Sequence, residues 1–324
     1  MVIKMVILLC SSCMLYENSG IYTFIKNTIN LFSKIGEEIL LYTDATNVIS
    51  EANIIRDREH LISICENNII ISNDYTSLKW IKDILHIAKS CYYYTHIGDM
   101  FHDKLDFYDF EYAETMEAVD TIKNNKINIL CQTYQIKEYL KTIFNNTAIY
   151  VAGEPLIEMN DDIFVSKFEN TALCIMSNLK RKRIDDVIRI CKYLNYSLIL
   201  ITSSNNGYYD INKIAKDASV DVKIFTNVDN SYMPLYYSMS KFLIHFSEIE
   251  VLPYSVMEAL KYIPVFINND AYWNNFISDE YVHKIDKNDF KYILDNVDKF
   301  KNFDYNKYME ETKKQWLYII NMEE

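Results

Sequence analysis

Two carboxylates, Glu250 and Glu258, stand eight positions apart in the stretch SEIEVLPYSVMEALKYIPVF, residues 247–266. Before them runs Lys241-Phe-Leu-Ile-His-Phe246, an apolar segment that reads as a buried strand. Beyond Pro253 an apolar helical pattern begins. Acids at a strand-to-helix turn fall where open parallel sheets take their ligands, outside the carboxyl ends of the strands. Glu258 has two readings. Ser255-Val-Met-Glu258 has the spacing of a capping box, in which the carboxylate returns to the Ser255 N–H and contributes about 1 kcal/mol. Alternatively, N–H groups at this helix start hold a phosphate, and Glu258 accepts hydrogen bonds from ligand hydroxyls. Spacing alone leaves both open.

Lys180-Arg-Lys-Arg183 is a run of four cations in a chain of net charge −12. It follows an apolar strand pattern and precedes a helical one, so it lies at the same edge. It reads as a solvated loop, or as a partner for a diphosphate. His96 follows the apolar run that ends at Thr95, and again both a structural and a functional role fit. His60, His86, His102, His245 and His283 show no metal-ligand spacing, and the pair His102-Asp103 lacks a third ligand. No acidic triplet calls for a metal. Cys10 and Cys13 form a CxxC with no second pair and no nearby histidine, so they read as half-buried thiols. The seven cysteines are scattered and odd in number, which points to a reducing compartment. There is no P-loop and no G-x-G-x-x-G, which disfavours an ATPase or a standard dehydrogenase.

The elements that must position these residues alternate strand and helix. Short apolar runs at 5–10, 38–43, 68–72, 90–95, 127–131 and 148–151 read as strands buried on both faces. Ile21, Phe24, Ile25, Ile29, Phe32 and Ile35 recur at helical spacing, and Gly36 ends that helix. After the linker-like stretch 153–170, with Pro155 and Asn160-Asp-Asp162, the pattern restarts. Strands are expected at 171–176, 197–202, 222–225, 242–245 and 265–267, a helix at 185–194, and a last helix near 308–320. This is an α/β chain of two Rossmann-like, doubly wound halves. The acidic balance disfavours a nucleic-acid partner. No segment is apolar for long enough to span a membrane, so a soluble, cytoplasmic protein is expected. Five glycines, four prolines and a bias to Ile, Asn, Lys and Tyr suit an AT-rich genome, a virus among the candidates, in which case the cytoplasm is the host's.

Glu250-Val-Leu-Pro-Tyr-Ser-Val-Met-Glu258-Ala-Leu, then Pro264-Val265, resembles the E-x7-E signature of retaining GT-B glycosyltransferases. It is closest to the family 4-like variant E-G-L-P-x-S-x-x-E-A followed by G-x-P-V. Lys34-Ile-Gly-Glu-Glu38 resembles the family's K-x-G-x-E-like turn, and Tyr94-Thr-His96 its histidine after a first-domain strand. Ser177-Asn-Leu with Lys182-Arg-Ile-Asp185 resembles its G-R-L…K-x-x-D turn. The resemblance implies the GT-B architecture, two Rossmann-like domains facing across a cleft. Residues 1–165 would take the acceptor, residues 166–305 the nucleotide-sugar donor, and a helix within 306–324 would pack back on the first domain.

The implied activity is a metal-independent, retaining hexosyltransferase with no cofactor beyond its nucleotide-diphosphate sugar. Its acceptor would be a glycan, lipid or protein. By resemblance, Glu258 holds the ribose hydroxyls and Glu250 contacts the donor sugar and stabilises its developing positive charge. The N–H groups of Tyr254 and Ser255, with Lys182, hold the diphosphate. His96 meets the sugar from the other domain, and Leu252, Asn178 and Gly20 complete the donor-binding set. The chain departs from the family at several positions. Asn178 replaces a phosphate-binding arginine, Val251 the glycine after the first acid, and Ser177 and Tyr262 further glycines. Gly20 is the one glycine of the opening loop. These departures suit an alternative, a degenerate GT-B protein that binds or scaffolds without turnover.

Overall fold

A computed structural model divides the chain into two compact units, Met1–Pro155 with Asn306–Glu324, and Leu156–Tyr305. The structure describes residues 5–11, 20–46, 49, 52–96, 109–125, 127–156, 166, 168–203, 207–248, 250–271, 277–286, 288–299, 301 and 303–322. Cys13, His102-Asp103 and Asn160-Asp-Asp162 lie outside these residues.

The first unit holds strands β1 (Val6–Leu9), β2 (Ile39–Tyr42), β3 (Asn53–Ile55), β4 (Ile69–Ser72), β5 (Ser90–Tyr94), β6 (Asn128–Cys131) and β7 (Ile149–Val151). Between them run helices α1 (Gly20–Ile35), α2 (Arg58–Cys65), α3 (Tyr75–Ile81), α4 (Asp109–Asn125) and α5 (Tyr134–Ile143). The sheet order is β3-β2-β1-β4-β5-β6-β7, and every pairing is parallel. β1, β4 and β5 are buried along their whole lengths, as inner strands of a parallel sheet must be. That is why their sequences are unbroken apolar runs rather than alternating ones. Phe24, Ile25, Ile29 and Phe32 form the buried stripe of α1. The helix ends at Gly36, whose φ of +77° is a left-handed conformation that a Cβ would strain.

The second unit repeats the plan with β8 (Thr171–Ile175), β9 (Ser197–Thr202), β10 (Val222–Thr226), β11 (Phe242–His245), β12 (Val265–Asn268) and β13 (His283–Ile285). Its helices are α6 (Ile184–Leu194), α7 (Ile211–Ala218), α8 (Met233–Met239), α9 (Tyr254–Ala259) and α10 (Lys291–Asn296). All pairings in the order β10-β9-β8-β11-β12-β13 are parallel. Val187, Ile188 and Cys191 of α6 pack with Leu198, Phe242, Ile244 and Phe266 in one core. In both sheets the chain starts in the middle, winds outward, and returns to the other side of its first strand. The strand order therefore reverses between β1 and β4, and between β8 and β11, which is where such sheets open a ligand crevice.

The last helix, α11 (Tyr305–Asn321), is grouped with the first unit from Asn306 onward. Trp316 is fully buried there. Its indole N–H donates to the Gly153 carbonyl at 3.0 Å, and its ring stacks 6.0 Å from Tyr94 and meets Phe32 edge-on at 5.6 Å. The Gly153 N–H donates to Gln315 Oε1 at 2.8 Å. A Cβ at 153 would lie 2.6 Å from Thr312 Oγ1, so the close approach of α11 is what requires glycine at the start of the expected linker. β3 and β13 are additions to the strands read from sequence. Both are edge strands whose runs, Asn53-Ile-Ile55 and His283-Lys-Ile285, are partly exposed and partly polar, unlike the apolar three residues of the edge strand β7.

Candidate functional site

Two loops leave the adjacent strands β8 and β11 at the switch point of the second unit. The first runs from Met176 through a 3-10 turn, Lys180–Lys182, to Arg183. The second runs from Phe246 to Pro253 and into α9. Three links tie them together. The Glu248 N–H donates to the Arg181 carbonyl at 2.9 Å, Ser255 Oγ donates to the Ile175 carbonyl at 3.4 Å, and Lys182 forms an ion pair with Glu250.

The four cations of the basic run have different fates. Lys180 is exposed. Arg183 adopts a left-handed backbone, φ +50°, while its guanidinium bonds Asp186 and both carboxylate oxygens of Asp270. Those contacts hold the strained residue in place, and they turn Lys182 inward, where it is 7 % exposed beside Glu250.

Glu250 accepts from two donors on one oxygen. Lys182 Nζ and His245 Nε2, the latter at 3.2 Å, both meet Oε1. Burial alone would raise the Glu250 carboxyl. Lys182, His245 and Arg181 together outweigh it, Lys182 most of all, and hold the group well below the usual carboxylate range. Burial lowers the Lys182 ammonium to about 8, against the pull of Glu250. It also lowers His245, again against Glu250, so the ring is neutral. A neutral imidazole can donate to an anion only through a protonated Nε2.

Glu258, in α9, is 6 % exposed and accepts from the Tyr237 hydroxyl at 2.8 Å. Burial pushes its carboxyl up to about 7, and the Tyr237 bond opposes that rise. Burial and the neighbouring Glu258 raise the Tyr237 hydroxyl well above its ordinary value. The capping-box reading of Glu258 is corrected here. α9 begins at Tyr254 with Pro253 as its cap, so Ser255 is already the second helical residue, and the carboxylate bonds Tyr237. The Val256 and Met257 N–H groups donate to the Pro253 carbonyl at 3.0 and 3.1 Å. The Tyr254 and Ser255 N–H groups precede them in the first turn of α9. Leu252 and Val251, just before, are buried.

Asn178 uses its side chain on the protein itself. Its amide donates to the Tyr209 carbonyl and accepts from the Tyr209 N–H, each at 2.9 Å, and its carbonyl accepts from the Tyr208 N–H at 3.0 Å. The loop after β9 approaches so closely that a Cβ on Gly207 would lie 2.3 Å from the Asn178 oxygen. Asn178 thus clamps the β8 turn to the β9 loop.

His96 and Gly20 belong to the first unit. Gly20 opens α1, and among the described residues nothing lies within 4 Å of where its Cβ would stand. His96 follows β5, its ring edge-on to Phe24 at 4.4 Å and tilted against Tyr94 at 4.8 Å. Among the described residues, its buried Nε2 has no hydrogen-bond partner. Burial lowers its pKa to about 3, so it is a neutral ring at ordinary pH.

Of the site residues read from sequence, the second unit pairs Lys182 with Glu250, sets Glu258 against Tyr237, and places Leu252, Tyr254 and Ser255 at or just before the start of α9. Sequence reasoning passed over His245 and Tyr237. His245 carried one signal, a polar residue ending an apolar strand five positions before Glu250, while Tyr237 carried none. Among the described residues, no group of three or more His, Cys, Asp or Glu could hold a metal, no helix is long and apolar enough to cross a membrane, and Cys10, Cys65, Cys91, Cys131, Cys174 and Cys191 are buried and in no disulfide.

No family model and no curated protein matches the sequence. Solved structures match over nearly its whole length. A sucrose-phosphate synthase from Thermosynechococcus elongatus superposes with a TM-score of 0.71 at 14 % identity, covering 98 % of this chain and 96 % of that one. The pneumococcal O-GlcNAc transferase GtfA, in complex with UDP and GlcNAc, gives 0.75 at 9 % identity, covering 99 % of each chain. Anabaena Alr3699/HepE, in complex with UDP and glucose, gives 0.69 at 10 % identity, covering 98 % of this chain and 97 % of that one. With its two parallel, doubly wound sheets of seven and six strands, the chain has the GT-B fold.

Proposed function

We propose that the protein is a glycosyltransferase that takes its sugar from a nucleotide-diphosphate donor, with UDP as the nucleotide. The observation that carries this is the buried Lys182–Glu250–His245 cluster on the loops that leave β8 and β11 at the switch point. Two of the solved structures with this fold contain UDP. In such a transfer the bond between the anomeric carbon and the diphosphate oxygen breaks. Negative charge grows on the leaving oxygen and positive charge on the sugar ring. Lys182 and the first-turn N–H groups of Tyr254 and Ser255 stabilise the former. Glu250, held as an anion, stabilises the latter. Leu252 lines the approach, Glu258 accepts the ribose hydroxyls, and Asn178 shapes the turn. Gly20 and neutral His96 serve the sugar and acceptor side, His96 as a hydrogen-bonding ring rather than a cation. Residues 1–165 with 306–324 take the acceptor and residues 166–305 the donor. The reaction retains anomeric configuration and needs no metal, because a buried ammonium and oriented N–H groups supply the positive charge. The acceptor is a glycan, lipid or protein; net charge −12 disfavours DNA. The intact Lys182–Glu250 pair supports turnover over the scaffold reading.

Calorimetric titration with UDP, GDP, ADP and CMP, without added metal, tests this. UDP is expected to bind, and Glu258→Ala to abolish that binding while the circular dichroism spectrum stays native. Failure of every nucleotide to bind would sink the proposal. A pH series adds a second check. If ionised Glu258 is the ribose acceptor, UDP affinity falls by up to about tenfold per pH unit below pH 7, and Glu258→Gln flattens that part of the profile. Stability moves the opposite way. A folded-state pKa above the ordinary carboxylate value favours folding below about pH 4.5, and that contribution is lost as pH rises through 7. The loss is on the order of 3 kcal/mol. Urea titrations of the wild type and Glu258→Gln at pH 5 and pH 8 measure it.

A further inference from the structure

We propose that His245 is a positioning residue, which fixes the plane of the Glu250 carboxylate so that one oxygen is held by the protein and the other is left for the donor sugar. Its kinetic consequence rests on the glycosyl-transfer reading above; its geometry does not. His245 ends β11 with its side chain 2 % exposed, a place where an imidazole is costly to bury without a partner. The groups that face it are Glu250, Lys182 and Arg181. Lys182 alone cannot set an orientation, because an ammonium on a flexible stem carries three rotatable donors and behaves as a point charge. An imidazole is rigid, and its N–H points along one line in the ring plane. Both donors converge on Oε1, and among the described residues no donor meets Oε2. A carboxylate gripped on one oxygen by a fixed N–H and a charge presents the other in a set direction. Preorganisation of that kind is what electrostatic stabilisation of a transition state requires.

The test has two arms. In wild-type protein, nitrogen NMR of the imidazoles, assigned against His245→Gln, is expected to show His245 as the Nε2–H tautomer, with its titration shifted below that of an ordinary imidazole. An Nδ1–H tautomer, or a normal titration near pH 6.5, overturns the proposal, and this arm stands even if a core variant misfolds. In the kinetic arm, His245→Phe is expected to lower kcat about 100-fold with donor KM within a few fold. His245→Gln, which restores an N–H donor, should recover activity to within about tenfold of wild type. UDP binding should be unchanged in both. A folded, UDP-binding His245→Phe with wild-type kcat overturns the positioning role. A wild type that binds no UDP but shows the Nε2–H tautomer keeps the geometry and sinks the transferase reading instead.

Discussion

Lys182→Met is expected to lower the kcat for sugar transfer by about 10²–10³, the loss typical of removing one preorganised donor from a developing oxyanion. It is also expected to destabilise the fold by about 3–5 kcal/mol, because Glu250 then stays buried as a charge without its cation. The double variant Lys182→Met with Glu250→Gln should regain most of that stability while staying inactive, since replacing both members of a buried pair removes the uncompensated charge. The pH signature separates the cases. In wild type the Glu250 pKa lies below its ordinary value, so its stabilising contribution is present above the unfolded pKa and lost as pH falls through the folded one. In Lys182→Met, burial dominates and raises the carboxyl, so stability is lost as pH rises instead. Urea midpoints at pH 3 and pH 5 follow the wild-type loss, and midpoints at pH 5 and pH 8 follow that of Lys182→Met, each compared in a Glu258→Gln background to remove the Glu258 contribution. If the double variant is no more stable than the single one, the two residues are not energetically coupled. If Lys182→Met keeps near-normal turnover, the leaving group is held elsewhere.

Trp316→Ala should be the most damaging single change in the first unit. The indole is fully buried among Phe24, Phe32 and Tyr94, and its N–H satisfies the Gly153 carbonyl. Truncation leaves a cavity and an unpaired carbonyl, a loss of about 3–5 kcal/mol. For a unit of this size that corresponds to a fall in Tm of roughly 10 °C. The effect should be local. Hydrogen exchange should quicken in β5, β7 and α1, while β8, β9 and β11 keep their protection and UDP still binds. Equal loss of protection in both units would show that they unfold as one, and that α11 is not a device of the first unit alone.

Much of this was legible in the residues because the sheets are parallel. Strands buried on both faces must be continuous apolar runs, and β1, β4, β5, β8, β9 and β11 all announced themselves that way. Gly36 and the helical spacing of α1 were equally plain. The edge strands β3 and β13 were hidden because their residues are partly exposed and partly polar, while the equally short β7 is apolar. In the site, the acids and the basic run were visible as types, but their partners were not. Which of the four cations turns inward depends on Asp186 and Asp270 capturing Arg183, and Asp270 lies 87 positions away. The capping box failed by a register of two residues, since Pro253 starts α9 earlier than Ser255 would. Asn178 looked like a substitution at a ligand position, and its use became plain only with Gly207 and Tyr209 beside it.

The placement of α11 also has a consequence for synthesis. The first unit is interrupted by the whole of the second, so the slot for Trp316 forms from residues made early and is filled by one made late. At ribosomal rates of about 5–20 residues per second, roughly ten to thirty seconds separate Pro155 from Trp316. Through that interval the nascent chain shows an aromatic face of Phe24, Phe32 and Tyr94 with nothing of its own to cover it. A growing chain of this design should be a client for chaperones that bind exposed aromatic surface, and its demand for them should end when α11 docks.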